Sequence, residues 1–334
     1  MTHEDDILTS LRSLGIVPAS ACPSLVRLPG GVSSDVYRID LASGPVCVKQ
    51  VLAKLNVSAD WHAPVERVHS EAAWFRFAGK IVPGNVPTVL AEDRASHLFV
   101  MNYFDPVTHP CWKTQLRDGI VDPSVAAQIG EIIARIHCTG AGSKAVQDEF
   151  AVYDHFTALR IDPYLLTTAK AHPDRAGRIR EIAGDLARAR IALMHGDLSP
   201  KNILVGPDGP IILDAETACY GDPAFDLAFC LNHLLLKCVW NPSHVRNYCK
   251  SFDALRNAYL AKVDWESAPA LEARASPLLA ALLLARIDGK SPVEYLTAPR
   301  DLDFVRSAAR DYLAATELTL DGIRQDWETR ALAR

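Results

Sequence analysis

Apolar residues change their spacing along this chain, first helical, then alternating, then helical again toward the end. Ile7, Leu8, Leu11 and Leu14 recur at helical intervals behind Thr2 and Asp5, a pair resembling a capping box, and stop at Gly15. Positions 36–41 and 46–51 alternate, with Ala42-Ser43-Gly44-Pro45 between them, which predicts two strands joined by a turn. Pro64 suits the first residue of a predicted helix whose stripe is Val65, Val68, Ala72 and Phe75 and which ends near Gly79. Segments 88–91 and 98–104 read as two further strands.

Beyond residue 105 the helical period dominates. Asp122-Pro123 starts a predicted helix carrying Val125, Ile129, Ile132, Ile133 and Ile136 on one face and closing at His137. Leu- and Ala-rich helices are predicted over 223–237, 277–287 and 302–324. The fold class is therefore α+β: an antiparallel β-sheet lobe with one long helix over 1–105, then a mainly helical lobe over 106–334, joined near 102–106. A cleft between two such lobes is a common nucleotide site.

Composition narrows the partners. The 334 residues suit two unequal domains, and a net charge of −5 argues against a nucleic-acid or anionic-membrane surface. The richest apolar run, 277–287, is too short to span a bilayer, and the N-terminus lacks a secretory pattern. The eight cysteines are scattered without a C-x-x-C pair, so reduced thiols and a cytoplasmic location are expected.

Candidate chemistry concentrates in one segment. Ile203–Val205 and Ile211–Leu213 flank Gly206-Pro207-Asp208-Gly209, which predicts a hairpin bringing Asn202 close to Asp214. A carboxamide oxygen beside a carboxylate suits Mg2+, which keeps waters and phosphates for its remaining positions. Asp197 lies on the same loop, where a base accepting the proton of an attacking hydroxyl is needed.

The order His195-x-Asp197-x-x-x-x-Asn202 and then Asp214 resembles the catalytic and metal loops of the protein-kinase-like superfamily. Gly196, Asp214-Ala215-Glu216 and the later Gly221-Asp222-Pro223-Ala224-Phe225-Asp226 resemble the aminoglycoside phosphotransferase and choline kinase-like family more closely. The resemblance implies a two-lobed small-molecule kinase, with Asp197 catalytic and Mg2+ held by Asn202 and Asp214. ATP, or GTP, would be the donor and a small hydroxyl compound the acceptor. Ser199 replaces the usual lysine and no Ala-Pro-Glu follows Asp214, so protein substrates are disfavoured.

Upstream, Gly30, Gly31, Ser33 and Ser34 resemble the family's phosphate-covering loop. Lys49 shares a strand face with Cys47 and Val51, and Glu71 shares a helix face with Val68 and Phe75, so two inward charges are expected to meet. In kinase-like folds that pair positions nucleotide phosphates. Asn102 and Phe104 resemble the hinge that binds the base. His195 reads as a structural hydrogen-bonder, Asp226 as a support for the catalytic loop, and His137 as a helix cap. Glu216 could join the metal site or substrate, or be a surface turn acid. Ser291-Pro292-x-Glu294 is expected to open a helix, and Trp112, Tyr220 and Trp240 to pack. The rival readings are a non-catalytic nucleotide-binding regulator of the same fold and a protein kinase.

Overall fold

A computed structural model describes residues 3–29, 34–51 and 64–334. Helix α1 (His3–Ser13) precedes strands β1 (Leu25–Arg27), β2 (Ser34–Leu41) and β3 (Gly44–Val51). Helix α2 (Arg67–Ile81), β4 (Val89–Asp93) and β5 (Leu98–Asn102) follow. The strands form one antiparallel sheet in the order β1-β2-β3-β5-β4. Leu41 opposes Gly44, so the β2–β3 turn is tight and the alternation of both strands is in register.

That alternation divides the sheet into two faces. Tyr37, Ile39, Val46, Val48, Leu98 and Val100 pack with Ile7 and Leu11 of α1. Val51 and Phe99 face Val68, Ala72 and Phe75 of α2, and this inner layer is continuous with the core of the helical remainder. Helix α2 begins at Arg67, later than the pattern predicts, and the Arg67 guanidinium donates to the Pro64 carbonyl at 2.7 Å. It also runs past Gly79 to Ile81.

The helical part comprises α3 (Trp112–Arg117), α4 (Pro123–Gly140), α5 (Lys144–Glu149), α6 (Asp154–Phe156), α7 (Thr167–Ala171) and α8 (Ala176–Arg188). A π-helical stretch, Thr157–Leu166, joins α6 to α7. Two small ribbons follow, β6 (Ala192–Met194) with β9 (Cys219–Gly221) and β7 (Ile203–Gly206) with β8 (Gly209–Ile212). Helices α9 (Ala224–Trp240), α10 (Val245–Leu260), α11 (Ala268–Asp288), α12 (Pro299–Ala314) and α13 (Leu320–Leu332) complete the chain. Asp122 caps α4 by accepting from Ser124 N at 2.8 Å.

Three helix expectations need correction. Helix α11 starts well before Pro277, which lies inside it; the true start signal is Ser267, whose hydroxyl accepts from Ala270 N at 3.3 Å. By length and apolar composition α11 could cross a membrane, yet most of it is buried in this protein's core. The stretch 302–324 is two helices, because Ala315 is extended and Thr319 caps a new start at Gly322 N, 3.0 Å away. No helix opens at Ser291; Glu294 instead pairs with Lys113 of α3.

Candidate active site

The loop after β6 is built around a buried carboxylate. Asp226, in the first turn of α9, accepts from His195 N at 2.6 Å and Gly196 N at 2.8 Å. His137 Nε2 lies 3.1 Å from the same carboxylate, while its Nδ1 meets the Tyr259 hydroxyl at 2.8 Å. His137 is thus a buried prop under the loop rather than a helix cap, since α4 continues for another turn to Gly140. Burial alone would raise the Asp226 pKa, but His137, His195 and the backbone donors hold it below the ordinary carboxylate range.

Gly196 has φ +78°, and a Cβ there would sit 2.6 Å from the Thr217 carbonyl oxygen, so this position admits only glycine. His195 Nδ1 accepts from Asp197 N at 3.0 Å, which leaves Nε2 as the N–H donating to Leu213 O at 2.9 Å. Burial lowers its pKa, so the ring is neutral and structural. Trp74 of α2 meets it edge-on at 5.0 Å, tying the two halves of the protein together.

The hairpin then closes the site. Leu213 N donates to Asn202 O at 2.8 Å, setting Asp214 beside Asn202. Asn202 Nδ2 donates to the Asp197 carboxylate at 2.8 Å and to its carbonyl at 3.0 Å. The carboxamide is planar, so its oxygen faces away from Asp197. Asp214 has φ +66°, a left-handed conformation uncommon outside glycine that is held here by the hairpin.

Charge pairing crosses from the sheet. Lys49 Nζ contacts Glu71 Oε2 at 2.7 Å and also the Asp214 carboxylate. Burial opposes the Lys49 charge, but Asp214 and Glu71 outweigh it and raise its pKa. Asp214 is held well below its ordinary value, mainly by Lys49 and Lys201 working against burial. Glu71, buried more deeply and beside a second carboxylate, is pushed up to about 8.

Residues the motifs do not mark complete the arrangement. Arg160, buried in the π-helical stretch, donates through its NH2 nitrogen to Asp197 Oδ1 at 2.8 Å and through Nε to Gly196 O at 2.8 Å. Lys201 reaches the other Asp197 oxygen at 3.2 Å. Asp197 is therefore held from three sides, by Arg160, Asn202 and Lys201. Glu216 is not a surface acid, because the buried Arg67 donates to it at 3.0 Å. The sequence offered one signal for this partner: Arg67 is a charge on the same helix face as Glu71 and Phe75 of α2.

Ser34 is buried at the start of β2, while Gly30, Gly31 and Ser33 lie outside the described residues. Asn102 closes β5, its side-chain oxygen accepting from Thr88 N at 2.7 Å, and Phe104 stands beside His109 at 5.2 Å between ring centroids. Trp112 is core, and the Tyr220 hydroxyl accepts from Gly142 N at 2.8 Å. Among the described residues no group of three or more His, Cys, Asp or Glu could hold a metal alone. One carboxylate and one carboxamide oxygen fit Mg2+ that draws its other ligands from phosphate and water, and fit poorly a metal needing a full protein cage.

A family model described as Phosphotransferase enzyme family matches residues 24–260. The chain belongs to this phosphotransferase family. Methylthioribose kinase 1 of Oryza sativa subsp. japonica is 28% identical over 229 residues, covering 60% of this phosphotransferase and 53% of the relative. The chain thus spans about half the length of the curated relatives it matches. A choline/ethanolamine kinase family protein from Mesorhizobium loti shares the fold with TM-score 0.54 and 19% identity over 100% of both chains. Amicoumacin kinase hAmiN does so with TM-score 0.54 and 14% identity over 95% of each. The α+β protein-kinase-like fold expected from the phosphotransferase motifs is the fold observed.

Proposed function

We propose that this phosphotransferase is a small-molecule kinase, moving the γ-phosphoryl group of ATP, or GTP, to the hydroxyl of a small acceptor. The observation that carries this reading is the convergence of Asp197, from the loop after β6, with Asn202 and Asp214 at the two ends of the β7–β8 hairpin, and Lys49 reaching in from the sheet. Residues 1–105 form the nucleotide side, with Gly30, Gly31, Ser33, Ser34, Asn102 and Phe104 around the nucleotide, and residues 106–334 form the catalytic and acceptor side. The rice relative is named for methylthioribose and the amicoumacin kinase was solved with AMP-PNP and Ca2+, which supports a hydroxylated acceptor and a nucleotide with a divalent ion.

In this reading Asp197 orients the acceptor hydroxyl and takes its proton. Arg160 and Asn202 fix the carboxylate so that one rotamer faces the acceptor. Asn202 and Asp214 would hold Mg2+, which supplies charge neutralisation on the phosphates. Lys49, set by Glu71, is released from Asp214 to face phosphate charge. The rate then comes from positioning and electrostatics, as suits phosphoryl transfer.

The test is Asp197→Asn, which keeps shape and removes the base. Turnover of a verified acceptor should fall by about 10²- to 10⁴-fold, with nucleotide affinity by calorimetry nearly unchanged. Near-wild-type turnover would reject the assignment.

A further inference from the structure

Arg160, which holds Asp197, begins a run of basic and aromatic side chains. Arg160 stands 5.7 Å from the Tyr164 ring, and Arg286 of α11 stands 5.3 Å from the same ring and donates to its hydroxyl at 3.0 Å. Phe229 links Arg160, at 5.8 Å, to His233, at 5.3 Å, one turn further along α9. Lys237 comes one turn later on the same face of α9, with its ammonium over the Trp240 and Tyr295 rings.

Lys237 is the unusual member. It is 1% exposed, and its ammonium has no hydrogen-bond acceptor among the described residues. It lies 4.2 Å from the Trp240 ring and 3.7 Å from the Tyr295 ring, which stack on each other at 4.4 Å. Cation–π contact recovers only part of what burying an ammonium with three N–H donors costs. Arg286 Nε and the Tyr295 hydroxyl are likewise buried without partners among the described residues. Three unsatisfied donor groups thus border one region, and such groups call for an acceptor.

The nearby carboxylates do not supply it. Asp197 is committed to Arg160, Lys201 and Asn202, and Glu294 to Lys113. The surplus is felt by the neighbours. Burial, and then Arg286, Lys237, Lys201 and Lys113, depress His233, while Lys237 is pushed down to about 7 by burial and then Lys113. Arg286 and Arg160 hold the Tyr164 phenol below its ordinary value against the effect of burial.

We infer that the acceptor is an anionic alcohol, its hydroxyl at Asp197 and its acid group received by Lys237, Arg286 and Tyr295. This rests on the kinase reading for the hydroxyl end and on the unpartnered donors for the acid end. It sets the acceptor apart from polycationic aminoglycosides and quaternary amino alcohols, which this lining would repel.

The experiment is a coupled ADP-release assay with matched pairs: glycerate against glycerol, ribonate against ribose, 4-hydroxybutyrate against butane-1,4-diol, and glycerol 3-phosphate as the phosphate arm. Choline and kanamycin are the cationic controls. At least one acid should exceed its alcohol in kcat/KM by about tenfold or more, the scale of a buried charge interaction, and the phosphate arm tells which acid group fits. In Lys237→Met that acid-to-alcohol ratio should collapse toward one. The wild-type comparison needs no substitution, so a misfolded variant does not rescue the idea. If every acid is no better than its alcohol, or a cationic control is preferred, the inference is overturned. If nothing is phosphorylated, the transfer reading fails separately, and calorimetry of the acids on the AMP-PNP-loaded chain decides. Binding that glycerol, ribose and butanediol lack, and that Lys237→Met abolishes, upholds the acid site, and its absence overturns it.

Discussion

Asp226→Asn removes a charge from beneath the loop after β6 while preserving the side chain's shape. The carboxylate accepts from His195 N, Gly196 N and His137 Nε2 at 2.6, 2.8 and 3.1 Å, and it is fully buried. Charge-assisted hydrogen bonds contribute about 1.5–3 kcal/mol each, and a buried N–H left without a partner costs about 1–3 kcal/mol. Asparagine keeps one acceptor oxygen and turns an NH2 toward a donor, so one amide is orphaned and the surviving bonds lose their charge. The expected loss is about 3–5 kcal/mol, the range for breaking a buried charge interaction. Urea unfolding followed by tryptophan fluorescence reads it as a lower midpoint with the slope unchanged. The folded pKa of Asp226 is depressed, so its contribution is complete above the ordinary aspartate value and fades as pH falls through the folded one. The gap between wild type and variant should therefore narrow in acid. A variant within about 1 kcal/mol of wild type at pH 7, or a gap unchanged from neutral to acid pH, would refute the account of how the loop is held.

Three other substitutions probe separate links. Arg160→Met frees Asp197 and the Gly196 carbonyl from their shared donor, and kcat should fall about 10- to 100-fold through misplacement; an equal loss of nucleotide affinity by calorimetry would contradict a role confined to Asp197. Gly196→Ala forces a side chain into φ +78° and onto the Thr217 carbonyl at 2.6 Å. The backbone alone costs about 1–2 kcal/mol, so thermal melting should show clear destabilisation, and a wild-type melting curve would sink the steric argument. Asp214→Asn leaves Lys49 with Glu71 alone, and activity should require about tenfold more Mg2+ or greater; an unchanged Mg2+ titration would remove Asp214 from the metal site.

The residues that could be read from the sequence are those whose placement is decided within one local element. Asn202 and Asp214 come together because a two-residue turn and paired strands leave them no other arrangement. Lys49 and Glu71 could be placed because alternation and helical period each turn a charge inward, and two buried opposite charges stabilise each other only by meeting. Arg160 offers no such handle. It meets the loop across 36 residues, in a stretch containing Pro163 whose wider π-helical winding departs from the ordinary helical period. Arg67 with Glu216, 149 residues apart, and His137 with Asp226, 89 apart, depend in the same way on the path of the whole chain. The helix limits failed for a related reason: Pro277 is tolerated inside α11, a helix set by its Ser267 cap and surrounding core, so a start taken from the apolar run alone falls too late. Reactive groups are thus legible where a motif is short and rigid. The charges that hold them, and the basic cluster around Tyr164, are assembled by tertiary packing from positions that are unremarkable one at a time.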